Sequence, residues 1–325
     1  MLDGVLIVDK PAGMTSHDVV ARVRRILSER RIGHTGTLDP FATGVMVLLI
    51  GRATRLARFL NTDEKEYQAM IRFGYATDTG DSTGKRLEPT PPQNSDSSFV
   101  HTPGPREIEA ALESLKGEID QVPPMYSAKK VDGQRLYDLA RRGIEVERAA
   151  VRVTIKELEL IPDAVGDVPE HSTSDRAANQ MKDVSVRVVC SAGTYIRTLA
   201  ETIGQRLGFA AHLAALRRTR AGRFAIDNAL ALGELAAVME AGNIEAKILA
   251  PDAALSELPF VHLTADEARK ARHGLALPLR EGVESEWWED QPVRMRDADN
   301  HLIAVAFYDA AAGSLRPRIV LSPEN

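Results

Sequence analysis

Apolar positions along the chain follow two periods, and the two alternate often. The short run Gly4-Val-Leu-Ile-Val8 reads as an opening strand. Thr15 and Ser16 then offer caps for a helix whose apolar residues, Val19, Val20, Val23, Ile26 and Leu27, fall on one face. A glycine-rich loop, Arg31 to Gly44, leads into the apolar strand Val45–Ile50 and a helix over about 52–60. Tyr67 to Phe73 alternates as a strand does. The polar stretch 76–105 opens as an ordered loop and ends in an insertion, 89–105. Helices follow near 106–115 and 134–142, then a strand over 151–160 and a second polar insertion, 163–182. Val184, Val186, Val188 and Cys190 share one face of a strand, and Ile196, Leu199, Ile203 and Leu207 recur at helical spacing. Residues 242–259 read as a linker. Beyond it come a helix near 265–273 and strands at 292–296, 301–308 and 314–320. Strands and helices mixed without a strict βαβ rhythm predict an α+β fold with a largely antiparallel sheet.

Composition changes this picture little. The 325 residues are 44% hydrophobic and 27% charged, enough for one large domain and a smaller one. No apolar run is long enough to span a bilayer, the N-terminus lacks a signal peptide's basic region and cleavage site, and the expected location is cytoplasmic. Cys190 is the only cysteine, which excludes an internal disulfide and a cysteine-based zinc site. Charge is more informative in its distribution than in its sum of −5. Seven arginines face one acidic residue, Glu201, between Arg187 and Arg223, whereas residues 240–325 hold nine basic and fifteen acidic residues. A local basic stripe of this kind suits a nucleic acid; the competing reading is a set of solvated helix and strand faces.

Two segments carry candidate chemistry. Gly33-His-Thr-Gly-Thr-Leu-Asp-Pro-Phe-Ala-Thr-Gly44 is a constrained loop between a helix and a buried strand, and it lacks the Gly-Lys-Ser/Thr of a phosphate-binding loop. Its Asp39 precedes a proline and is held toward extended backbone, so it is either a reactive carboxylate or a turn-capping one. In Ser191-Ala-Gly-Thr-Tyr-Ile-Arg197, Thr194 as helix cap would place Arg197 in a first turn, where the helix dipole disfavours a cation. An anion beside Arg197, a carboxylate or an RNA phosphate, would make the placement sensible; otherwise the side chain reaches solvent. His34 and Asp39 are too few for a metal site, Cys190 reads as a buried strand residue, and Tyr67 and Tyr195 are equally compatible with core positions.

Several segments together resemble the TruB family of bacterial tRNA pseudouridine synthases. They are Asp9-Lys-Pro-Ala-Gly-Met-Thr-Ser16, the Gly33–Gly44 loop, Lys65-Glu-Tyr67, Pro123-Pro-Met-Tyr-Ser-Ala-Lys129, Cys190–Arg197 and His212-Leu-Ala-Ala-Leu-Arg-Arg218, in that order. The resemblance implies a pseudouridine synthase fold, with a mixed, largely antiparallel central sheet flanked by helices and a small β-rich PUA-like C-terminal domain. It assigns residues 1–250 to the catalytic domain, with a tRNA-gripping arm at about 123–148, and residues 251–325 to an RNA-binding domain. The two polar insertions match no family pattern.

Carried over by position, Asp39 would be the nucleophile, Arg197 its partner, and Tyr67 the residue that stacks on the base and helps remove the C5 proton. Leu216 would contact the base's other side, His34 would support the flipped T-loop, and Lys10 and Tyr195 would support the site. The implied activity is isomerisation of uridine to pseudouridine in the T-loop of tRNA (position 55 of the RNA). That reaction requires no redox cofactor, metal or ATP. Burial would raise the pKa of Asp39, and Arg197 would oppose the rise. The expected partner is the T-arm of tRNA, bound by a monomer with no membrane association. The alternative is a tRNA-binding folding chaperone in which catalysis is secondary; such a protein has no need of Asp39, Tyr67 and Arg197 together.

Overall fold

The computed structural model describes residues 2–61, 64–88, 103–127, 129–131, 133–161, 183–279 and 286–321. In chain order, β1 (Gly4–Lys10) is followed by α1 (Ser16–Leu27), β2 (Ile32–Thr35) and β3 (Thr43–Ile50). A 3-10 turn, Gly51–Leu56, runs into α2 (Ala57–Leu60) and β4 (Lys65–Phe73). Next come α3 (Pro105–Glu113), β5 (Gly117–Gln121), the small hairpin of β6 (Lys130–Val131) and β7 (Gln134–Arg135), and α4 (Leu136–Arg141). Then follow β8 (Val151–Leu160), β9 (Asp183–Cys190), α5 (Ile196–Leu207) and the long β10 (Ala211–Ala221). Short elements succeed it: β11 (Phe224–Ala225), β12 (Leu230–Ala231), α6 (Leu235–Glu240), β13 (Ile248–Leu249) and α7 (Pro251–Ala254). The C-terminal part holds β14 (Phe260–His262), α8 (Ala265–Arg272), β15 (Leu277–Pro278), β16 (Pro292–Arg296), β17 (Leu302–Asp309) and β18 (Ser314–Val320).

Eleven strands form one mixed sheet with main path β12-β1-β3-β10-β4-β9-β8-β5, and the C-terminal part forms a five-stranded sheet, β14-β16-β17-β18-β15. Along the main path all neighbours are antiparallel except β1–β12 and β3–β10. The expected α+β, largely antiparallel architecture is what the chain forms. β3 reads as an unbroken apolar run because both its faces are covered. Met46, Leu48 and Ile50 pack with Val19 and Val23 of α1 and Leu235 of α6. Val45, Val47 and Leu49 pack with Leu302, Val305 and Ile319 of the C-terminal sheet. On the other half, Ile108 and Leu112 of α3 and Leu199 and Ile203 of α5 pack with Ile71, Val186, Val188 and Leu213.

The structure corrects several sequence expectations. The arginine-bearing stretch that carries the His212–Arg218 motif, given no element from its pattern, contains β10, the strand at the middle of the sheet. β2 occupies the start of the predicted glycine-rich loop, the 52–60 helix opens as a 3-10 turn, and Gln134 and Arg135 belong to a hairpin strand ahead of α4. β5 and the short β14 and β15 carry no alternation long enough to announce them. The linker expected at 242–259 is ordered: β13 pairs with β1, and Asp252 of α7 receives Arg294 and Arg296 of β16. Residues 89–102 and 162–182, most of the two insertions, lie outside the described residues.

Candidate active site

Asp39 sits in the loop that joins β2 to β3, and hydrogen bonds on both sides of it hold the loop's main chain. Ser16, at the start of α1, accepts from Leu38 N–H at 2.9 Å and donates to the Leu38 carbonyl at 3.1 Å. On the other side of Asp39, the Pro40 carbonyl accepts from Gly13 N–H at 2.8 Å and from Lys10 Nζ at 3.1 Å. Lys10 is fully buried and also donates to the carbonyls of Pro11 and Met14. Burial lowers its pKa to about 8, with the nearby Asp39 carboxylate opposing the fall. Lys10 therefore supports the loop from beneath and does not line the cleft.

The loop re-enters the sheet at Gly44, which pairs in parallel with Arg218 of β10. A Cβ on Gly44 would lie 2.2 Å from the Arg218 carbonyl oxygen, and its φ of +104° is one that L side chains rarely adopt. Here glycine is required for two reasons at once.

Arg197 reaches Asp39 from the first turn of α5. Its Nε lies 2.9 Å from one carboxylate oxygen and its Nη2 donates to the other at 3.1 Å, a bidentate pair. The remaining donors are also used: Nη1 donates to the Thr79 carbonyl at 3.0 Å and Nη2 to the Tyr126 carbonyl at 2.7 Å. Asp81 stands 3.8 Å from Nη1. Its own carboxylate accepts from the Thr79 and Thr83 hydroxyls and from Thr83 N–H. These anions and carbonyls answer the helix-dipole objection to a cation at this position.

Thr194 is not the cap of α5. Tyr195 occupies that place without a side-chain cap, and the Thr194 hydroxyl donates to the Ser191 carbonyl. The buried Gln121 of β5 serves instead, accepting from Tyr195 N–H at 3.0 Å and donating to its carbonyl at 3.3 Å.

Asp39, Arg197, Tyr67, Leu216, His34 and Tyr195 line one cleft of about 550 Å³. Tyr67 on β4 pairs in register with Arg218 on β10, and Leu216 lies two residues before Arg218 on the same face. Burial pushes the Tyr67 hydroxyl pKa up, with the Arg218 guanidinium opposing the rise. Burial likewise holds His34 below the ordinary imidazole range, aided by His17 and Arg218, so the ring is neutral near pH 7. Asp39 keeps 30% of its side chain exposed to the cleft. Its pKa is nevertheless raised, by burial first, against the pull of Arg197, and Asp81 adds to the rise.

Ser16, Asp81, Gln121 and Arg218 were not named as site residues from the sequence. Arg218 is 1% exposed and donates to the carbonyls of Val45 and Gly36, which brace both arms of the Asp39 loop. The basic stripe expected to meet RNA is largely committed inside the protein. Arg187 pairs with Glu66 and Glu157, Arg217 with Asp9, and Arg220 with Glu66, while Arg223 donates to Ala253 and Ser256. Among the described residues, the one trio of carboxyl and imidazole groups close enough for a metal is Asp297, Asp299 and His301, in the β16–β17 turn.

Comparison with known proteins assigns the chain to a class. A family model for the TruB family pseudouridylate synthase N-terminal domain matches residues 24–196, and one for the tRNA pseudouridylate synthase B C-terminal domain matches 197–256. The tRNA pseudouridine synthase B of Thermobifida fusca is 42% identical over 322 residues, 99% of each chain. That of Bacillus subtilis is 38% identical over 326 residues, 100% of this chain and 99% of the relative. A chain in the crystal structure of a Cbf5-Nop10-Gar1 complex superposes with a TM-score of 0.69 at 25% identity, covering 98% of this chain and 85% of that one.

Fold and relatives together define a pseudouridine synthase, an isomerase that converts uridine to pseudouridine in RNA. Within that class, the chain belongs to the TruB family of pseudouridylate synthases.

Proposed function

We propose that the protein isomerises the uridine at position 55 of tRNA, in the T-loop, with Asp39 as nucleophile. One observation carries the reading: the bidentate Asp39–Arg197 pair opens onto a cleft that Tyr67 and Leu216 also line. The reaction breaks the N1–C1′ bond, turns the uracil and forms a C5–C1′ bond, so substrate and product are isomers and only the C5 proton must be moved to N1. A carboxylate is needed to release the base, a closed pocket to hold it, and a base to take the C5 proton. Asp39 supplies the first, and Tyr67, which lines the same cleft, stacks on the uracil and assists the last.

Extruding a base from its stack costs a few kcal/mol, and one aromatic face returns about 1–3 kcal/mol. Tyr67 on one side and Leu216 on the other are thus of the right size to offset the flip. His34, with its ring neutral, supports the splayed loop without adding charge beside the base. Residues of the 123–148 segment grip the T-arm, Tyr195 and Lys10 hold the architecture, and residues 251–325 form a PUA-like domain beyond the catalytic domain of 1–250. The protein acts as a cytoplasmic monomer.

The test is direct. Purified protein is incubated with an unmodified tRNA transcript, without added metal or cofactor, and pseudouridine is mapped chemically. A single new pseudouridine in the T-loop, absent with Asp39→Asn although the RNA still binds, is the expected result. Tight binding with no pseudouridine anywhere would favour the chaperone reading.

A further inference from the structure

Four cations line the cleft: Arg58, Lys65, Arg197 and Arg218. Arg197 and Arg218 are fully engaged with a carboxylate and carbonyls, and Lys65 is buried. Arg58 of α2 differs from all three. It is exposed, and among the described residues it forms no ion pair to a carboxylate. Its guanidinium instead sits over two aromatic rings, 5.7 Å from the centroid of Phe59 and 5.2 Å from that of Phe307. Phe307 belongs to β17, so the C-terminal sheet itself holds this side chain at the edge of the cleft. A ring face orients a guanidinium without neutralising it, which an ion pair would do. The result is a positioned charge, with no carboxylate partner among the described residues, at the boundary between the cleft and the C-terminal sheet.

We infer that Arg58 is a substrate-binding residue that contacts a backbone phosphate beside the flipped uridine, with Phe307 as its positioning platform. The inference rests on the RNA-modifying reading and adds to it a residue and a role. It also gives the C-terminal sheet a part in RNA binding that its own charge does not supply, since residues 240–325 hold fifteen acidic and nine basic residues. Phosphate contacts position RNA and carry no base preference, so the residue should act on affinity and leave the chosen uridine unchanged.

Binding of an unmodified tRNA transcript, measured across a salt series, tests this. Each phosphate contact contributes about 0.7–0.9 to the slope of log affinity against log salt. Arg58→Gln is expected to weaken binding about fivefold near 0.1 M salt, to lower the slope by about that one contact, and to raise KM with kcat unchanged. Arg58→Lys should keep the slope. Phe307→Leu retains the charge but frees the side chain, and should lose about twofold in affinity with the slope intact.

An Arg58→Gln variant with wild-type affinity and slope would overturn the inference. So would weaker binding with an unchanged slope, because that would mean a contact other than phosphate. If the wild-type protein binds the transcript but forms no pseudouridine, the functional reading fails. The salt slope still decides the role of Arg58 in that case.

Discussion

Two regions of this molecule are built on aspartate and arginine, and they are built in opposite ratios. In the cleft, one arginine serves Asp39 while also facing Asp81 and two carbonyls. In the C-terminal part, one aspartate receives two arginines: Asp252 pairs with Arg294 and Arg296, and Arg294 also donates to the Leu258 and Ser256 carbonyls. Asp252 is saturated and ties α7 to β16. Asp39 has a single arginine partner, and burial raises its pKa against that arginine's pull. A carboxylate whose charge is fully answered is a fastener. One that is under-answered and open to solvent remains available to react.

The largest effect that tests this contrast is Asp39→Asn. Turnover should fall by at least about a thousandfold, while the variant melts no lower than wild type near neutral pH. The sign follows from linkage. A carboxyl whose folded pKa lies above its unfolded value costs stability once it ionises. The deficit of wild type against the Asn variant is therefore full above the folded pKa and disappears below the unfolded one. Thermal melts of both proteins across pH 3–8 read it directly, and wild-type turnover should fall as pH drops through the raised pKa.

Next in size is Arg197→Lys, which keeps the charge but loses the planar fork. About a hundredfold loss in kcat is expected from single-turnover measurements, since an ammonium cannot hold both Asp39 oxygens and both carbonyls. Asp252→Asn should behave inversely, with kcat unchanged and stability reduced by about 1–3 kcal/mol. The figure lies below that for a fully buried pair because Asp252 is partly exposed and Arg294 keeps its carbonyl acceptors. Ser16→Ala is the smallest change: about 1 kcal/mol of stability, from losing one hydroxyl that holds Leu38 N–H and carbonyl together. If Asp252→Asn abolished turnover with its fold intact, the division between fastener and reactive carboxylate would be wrong.

Arg197 shows how much of the site could be read in advance. A cation in a first helical turn needs an anion, and that anion proved to be Asp39, the residue singled out in the glycine-rich loop. The motif order supplied Tyr67, Leu216 and His34, and the cleft gathers them. The partners that were missed are mostly main-chain carbonyls, such as those of Thr79 and Tyr126, which have no residue-type signature. Asp81 and Gln121 act through long-range contacts that no local spacing encodes. β10 was hidden for a related reason: Arg217, Arg218 and Arg220 break its apolar alternation, and only tertiary partners such as Asp9 and the Val45 carbonyl allow them there. In the 242–259 segment, alanine, proline and glutamate suggested a tether, and the pairing of Ile248 and Leu249 with β1 overrode that composition.

The parallel contact between β3 and β10 rests on two residue pairs, Thr43 with Arg217 and Gly44 with Arg218. It divides the large sheet into two blocks, one carrying β1, β2 and β3 and the other β4, β5, β8, β9 and β10. The Asp39 loop hangs on the first, and Arg197, Tyr67 and Leu216 belong to the second. Neither block alone holds both Asp39 and Arg197. The pair forms only once segments more than a hundred residues apart in the chain have joined, and Arg218 spans that joint through the Val45 and Gly36 carbonyls. If Asp39 and Arg197 act as proposed, competence to modify RNA therefore requires both blocks, and it rests on a seam of two residue pairs.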